Sequence, residues 1–164
     1  MNEFGGVPDR GRRIILKSAV AGGLVVLGFG SFPFPAFANA DAKDWPADAF
    51  KQKSEADALK TLYGKSAEAS DKVNLDAPEI AENGAVVPIA ITSTLPNVTG
   101  IAILVLENPF TLAAAYKIPE GTQAAAASRL KMAKTTKVVA VVESGGKLYS
   151  ATKEVKVTVG GCGG

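Results

Sequence analysis

The sequence predicts a mainly β protein: an immunoglobulin-like β-sandwich, preceded by one N-terminal helix and followed by a flexible C-terminal arm. Three observations carry that prediction. From residue 79 onward, runs rich in Val and Ile are cut by turn residues about every ten positions, the spacing of short antiparallel strands with no helices between them. Before that point one segment, ending at Leu62-Tyr63, has apolar residues at helical spacing and is stopped by Gly64. The last five residues, Gly160-Gly161-Cys162-Gly163-Gly164, include four glycines, which have no side chain to pack and no fixed dihedrals.

In chain order, residues 1–40 come first and read as an address. Arg10, Arg12, Arg13 and Lys17 precede an uncharged stretch from Ser18 to Ala40. The small residues Ala38 and Ala40 occupy the −3 and −1 positions of a secretory cleavage site. A transmembrane anchor needs a similar length, but Gly22, Gly23, Gly28 and Gly30 weaken such a helix and Pro33 and Pro35 break it. Gly11-Arg12-Arg13-Ile14-Ile15-Leu16-Lys17 is similar to the twin-arginine export motif, with Gly11 in place of its hydroxyl residue and Ile15 in place of its Phe. A general secretory signal with a chance arginine pair is the competing reading. The twin-arginine route carries folded protein into the periplasm, so a partner can assemble before export. After cleavage no membrane segment is expected.

Residues 41–159 form the folded domain. Asp44-Trp45-Pro46 supplies a helix entry, with Pro tolerated in the first turn, and the helix runs to Leu62-Tyr63. Phe50, Ala56, Leu59 and Tyr63 make its apolar stripe, which is expected to pack on the domain rather than on a membrane or partner. Lys65 to Asp76 reads as a polar linker. Strands are expected at Glu79 to Glu82, Val86 to Thr94, Val98 to Leu106, Thr111 to Ile118, Ser128 to Ala133, Thr136 to Glu143 and Leu148 to Val159. Gly145-Gly146 is the strongest hairpin signal, because a two-residue loop needs positive φ at both positions. The strands lack the cysteine pair and core Trp of antibody domains, so strand number and spacing carry the sandwich assignment. Val155, Val157 and Val159 alternate with Lys156 and Thr158, which gives the last strand one apolar and one wet face.

Composition then removes most chemistry. With no histidine and one cysteine, the Ser-His-Asp and Cys-His catalytic arrangements, the usual zinc sites and an internal disulfide are all excluded. No catalytic residue, resident cofactor or metal site is expected. The net charge of +2 comes entirely from the first 40 residues, and the rest carries equal numbers of basic and acidic residues. No nucleic-acid footprint follows from that balance.

What remains is Cys162. Gly160, Gly161, Gly163 and Gly164 cannot bury it, and an exposed thiol in an oxidising compartment calls for a use. A self-contained active site needs a base and an oxyanion hole held in place, which glycines do not provide. A tether fits better: Cys162 lies three positions beyond Val159, a reach of roughly 10 Å, without side chains to obstruct entry into a partner's cleft. Residues 160–164 thus read as a swinging arm that presents a covalently attached substrate.

The terminal pentapeptide, the preceding Lys153-Glu154-Val155-Lys156-Val157-Thr158, the segment Pro78-Glu79-Ile80-Ala81-Glu82-Asn83-Gly84 and the export signal at Arg12 and Arg13 together resemble the SoxY family of bacterial sulfur-oxidation carriers. The resemblance implies an immunoglobulin-like sandwich paired with a second sandwich subunit, SoxZ. It implies thiosulfate conjugated to Cys162 by the SoxAX cytochrome, sulfate released by SoxB and the remaining sulfane sulfur oxidised by SoxCD. The carrier itself catalyses none of these steps. Two rival readings are a sulfurtransferase-like thiol enzyme, whose base would have to be Lys, Tyr or a carboxylate, and a structural sandwich whose cysteine forms an intermolecular disulfide.

Overall fold

The computed structural model describes residues 45–159. The export signal, its cleavage residues Ala38 and Ala40, and the pentapeptide with Cys162 lie outside the described residues.

Nine strands and one helix make up this region: α1 (Glu55–Tyr63), β1 (Ala67–Ala69), β2 (Val73–Asp76), β3 (Ile80–Ala81), β4 (Val87–Ser93), β5 (Val98–Val105), β6 (Leu112–Lys117), β7 (Ala125–Leu130), β8 (Thr136–Ser144) and β9 (Lys147–Val157). One sheet has the order β1-β9-β8-β5-β6, with β3 also beside β9, and the other is β2-β4-β7. The chain crosses between sheets at β1–β2, β2–β3, β3–β4, β4–β5, β6–β7 and β7–β8, an immunoglobulin-like Greek key. All pairings are antiparallel except those of β1 and β3, which lie parallel to β9 and cover its outer edge.

The strongest strands are buried on both faces. Ile101, Ile103 and Val105 of β5 and Val138, Ala140 and Val142 of β8 face the core between the sheets, with Ile89, Ile91 and Val155. Their neighbours Ala102, Leu104, Val139 and Val141 form a second core on the outer side, under Ala58 and Leu59 of α1. That double burial accounts for the unbroken apolar run Val138 to Val142, where a one-faced strand would alternate. The Gly145-Gly146 hairpin is as expected, with φ of 55° and 76°.

Four expectations require correction. The helix begins at Glu55, because Ser54 is extended and its Oγ accepts from the Asp57 amide at 3.1 Å; upstream only a 3-10 turn forms, Ala49–Lys51. Its buried face is Ala58 and Leu59, with Leu62 and Tyr63 half-buried, whereas Ala56 is exposed. Lys65 to Asp76 is no linker but contains β1 and β2, edge strands that are short and polar on their outer faces. Strand β7 lies three residues earlier than expected at both ends, because Met132 and Ala133 are drawn out of the sheet: the Met132 amide donates to the Gly84 carbonyl at 2.7 Å and the Ala133 amide to Asn108 Oδ1 at 3.0 Å.

Candidate functional site at the end of the last strand

The strand that leads to Cys162 is fixed residue by residue up to Val159. On one side the Lys156 amide donates to the Glu79 carbonyl at 2.9 Å and the Thr158 amide to the Ala81 carbonyl at 3.1 Å, the alternating bonds of a parallel pair. Thr158 Oγ1 donates to the Glu82 carbonyl at 2.9 Å, and the Gly84 amide to the Val159 carbonyl at 2.8 Å. On the other side the Val157 amide donates to Thr135 Oγ1 at 3.0 Å. Burial falls along the same stretch: Val155 is fully buried, Val157 half-buried and Val159 61% exposed. The apolar face expected for this strand is therefore present and runs out at the last described residue.

Three loops meet at this end of the sandwich and are bonded to one another. Asn83 forms an Asx turn, its Oδ1 accepting from the Ala85 amide at 2.8 Å. Asn108 joins the β5–β6 loop to the β7–β8 loop: its Nδ2 donates to the Lys131 carbonyl at 2.8 Å while its Oδ1 accepts from the Ala133 amide. The Glu107 amide donates to Thr136 Oγ1 at 3.0 Å, and Lys134 Nζ lies 2.8 Å from Glu107 Oε2. The Met132 side chain plugs the centre and is fully buried. The result is a braced platform that holds Val159, the last described residue.

Sequence reasoning singled out the segment Pro78 to Gly84 without giving it a task. It is the brace for the end of β9. The bracing roles of Asn108 and Thr135 were missed, and the one usable signal was the capacity of Asn to bond main chain on two sides at once.

At the opposite end, a cleft of about 790 Å³ is lined by Trp45, Tyr63, Gly100, Tyr116 and Glu143 among others. Thr99 Oγ1 donates to Glu143 Oε2 at 2.9 Å and Lys65 Nζ stands 3.9 Å from Glu143 Oε1. Burial, and secondarily the Glu143 carboxylate, push the Tyr63 phenol up to about 12. These groups brace α1 against β5 and β8. Among the described residues no cluster of three or more carboxylates, thiols or imidazoles is placed to hold a metal ion, and no helix is long and apolar enough to cross a membrane.

Comparison with known proteins agrees with this architecture. The family model described as sulfur oxidation protein SoxY matches residues 59–162, which include the braced strand and reach the position of Cys162. The solved structure of the sulfur carrier protein SoxY from Chlorobium limicola f thiosulfatophilum is 38% identical, with a TM-score of 0.59, over 63% of this chain and 96% of that one. A PKD domain of an M14-like peptidase from a Thermoplasmatales archaeon is 14% identical over 52% of this chain and 91% of that one, and its TM-score of 0.31 adds nothing to the assignment. No curated protein matches. With more than half of its length matched by the family model, the chain belongs to the SoxY family of sulfur-oxidation proteins.

Proposed function

We propose that this protein carries sulfur intermediates covalently on Cys162 and presents them to the enzymes of sulfur oxidation, without catalysing any step itself. The observation that carries the reading is the family match through residue 162, where the sequence has its only cysteine, three residues beyond a strand end braced from both sides. The glycines at 160, 161, 163 and 164 supply conformational freedom directly after this strand end.

The chemistry balances around one thiol. The Cys162 thiolate and the sulfane sulfur of thiosulfate form a disulfide-type S–S bond, giving Cys–S–S–SO₃⁻, and two electrons pass to the conjugating SoxAX-type cytochrome. Hydrolysis by a SoxB-type enzyme cleaves the bond to the sulfonate sulfur: water supplies the fourth oxygen of sulfate, two protons are released and Cys–S–S⁻ remains. A SoxCD-type dehydrogenase then takes six electrons from the terminal sulfur, three waters supplying its oxygens and six protons leaving, to give Cys–S–SO₃⁻. No resident cofactor is needed on the carrier.

Residues 1–40 act in this reading as a twin-arginine signal read at Arg12 and Arg13 and cleaved after Ala40, residues 41–159 as the sandwich, and 160–164 as the arm. The site of action is the periplasm. A SoxZ-like sandwich subunit pairs with the carrier and travels with it if it lacks a signal of its own. Changing both Arg12 and Arg13 to Lys then holds both subunits in the cytoplasm, and a partner that still reaches the periplasm refutes shared export.

Intact-mass analysis of protein from thiosulfate-grown cells tests the central reading. Reductant-labile sulfur additions confined to the peptide containing Cys162, and their loss in Cys162→Ser, are expected. Additions elsewhere, or thiosulfate oxidation sustained by Cys162→Ser, would overturn it. Turnover by the isolated chain would favour a thiol enzyme instead.

A further inference from the structure

The geometry points to a docking face shared by the enzymes that act on Cys162: we infer that they seat on the braced end of the sandwich, against the exposed apolar side chains of Ile80, Val86, Phe110 and Val159. This inference rests on the reading that Cys162 carries the substrate. Three residues from Val159 to Cys162 span roughly 10 Å at full extension. A reacting centre buried in an enzyme cleft can meet the thiol only if the rim of that cleft comes into contact with the surface from which the arm departs.

That surface is unlike the rest of the described molecule. Ile80 is 60% exposed, Val86 54%, Phe110 52% and Val159 61%, and of the large apolar residues exposed among those described only Trp45 lies elsewhere. All four are set by the brace. Ile80 precedes Ala81 in the strand beside β9, Val86 follows the Asn83 turn that holds Val159, and Phe110 stands in the loop that Asn108 locks. An apolar side chain held out in water by a rigid base loses little conformational freedom when it is covered, which suits a contact made and broken with several partners. Charges at this end are of both signs, Lys131, Lys134 and Lys156 with Glu79, Glu82 and Glu107, and Lys134 is already paired to Glu107. The matching partner chemistry is therefore an apolar, weakly charged rim, with association that changes little between low and moderate salt.

The test uses the full carrier, the SoxAX-type cytochrome with thiosulfate, and a small aromatic disulfide reagent. Val86→Asp and Phe110→Asp should each lower the rate of Cys162 conjugation at limiting carrier at least tenfold, while reaction with the small reagent stays within twofold of wild type and the melting temperature is unchanged. Trp45→Asp, which alters the exposed apolar residue at the other end beside Gly100 and Glu143, should conjugate at the wild-type rate. Wild-type conjugation by both platform variants, or an equal loss with the small reagent, overturns the docking face while leaving Cys162 as the carrier site. Loss of the sandwich partner subunit from the platform variants assigns the face to that subunit and also overturns the inference. Conjugation of Cys162→Ser fells the carrier reading itself, and the docking face with it.

Discussion

The Gly84 amide donates to the Val159 carbonyl across 2.8 Å, so the turn between β3 and β4 clamps the last described residue on the way from β9 to the thiol. The Gly84 carbonyl in turn accepts from the Met132 amide. One residue, Gly84, thus connects the end of β9 to the β7–β8 loop, and the tether starts from a fixed point even though the residues that follow are mostly glycine.

The first prediction concerns that fixed point. Thr135→Val removes the hydroxyl that accepts from the Val157 amide and leaves an exposed N–H that water can satisfy. The expected loss of global stability is about 1 kcal/mol or less. Locally the effect is larger: amide exchange at Val157 and Thr158 should rise at least tenfold relative to Val141 in the centre of β8. Unchanged exchange at Val157 would show that the parallel pairing with β3 holds the strand end alone.

How far the fold is legible in sequence depends on how local each determinant is. Strands β5 and β8, the alternating end of β9 and the Gly145-Gly146 turn were readable because burial on both faces, burial on one face or a positive φ each demands particular residue types. The start of α1 was misplaced although Ser54-x-x-Asp57 carried the capping signal, because Trp45-Pro46 offered a competing start upstream. Strand β2 alternates Val73, Asn74, Leu75, Asp76 with buried and exposed positions, a period-2 pattern too short to stand out from a loop. The platform was illegible for a different reason: its bonds join side chains such as Asn108 and Thr135 to main chain remote in sequence, and no local pattern marks them.

A second prediction follows from Tyr63. Its phenol is raised from 10.0 to about 12, first by burial and then by the Glu143 carboxylate. The folded state therefore holds this proton more tightly than the unfolded chain. The contribution is complete below pH 10 and is lost as pH rises from 10 through about 12. Tyr63→Phe should flatten the fall of stability over that window in urea titrations, and an equal slope in both proteins would place the phenol's ordinary value in the folded state.

The third prediction concerns the helix that covers the outer sheet. Leu59 is 3% exposed and packs with Leu104, Val139 and Val141. Leu59→Ala should cost about 2–4 kcal/mol through lost burial and the cavity left behind. Ala56→Ser, on the exposed side of the same helix, should cost no more than about 0.5 kcal/mol. Chemical denaturation of the two variants checks the assignment of the buried face, in which the sequence pattern alone had included Ala56 together with Leu59. Comparable losses would mean that α1 is rotated from the position described.

The last prediction separates reach from flexibility. Replacing Gly160-Gly161 with Pro-Pro keeps the number of residues between Val159 and Cys162 but fixes φ at both replaced positions. Pro after Val159 also favours an extended conformation at Val159. Stability should change by less than about 0.5 kcal/mol, because neither replaced residue has a side chain to lose and the bonds that brace the strand end are made by residues up to Val159, which stay unchanged. Reaction of Cys162 with a small disulfide reagent should also be unchanged, since that reagent approaches from any direction. Conjugation by a SoxAX-type cytochrome should fall several-fold, because a stiff polyproline-like segment points the thiol along one direction whereas a glycine pair can turn into a cleft after docking. Ala-Ala at the same positions, which adds Cβ atoms without locking φ, should fall between the two. Equal conjugation in all three proteins would mean that the arm acts as a spacer of fixed length, and its glycines would then serve to keep the path narrow.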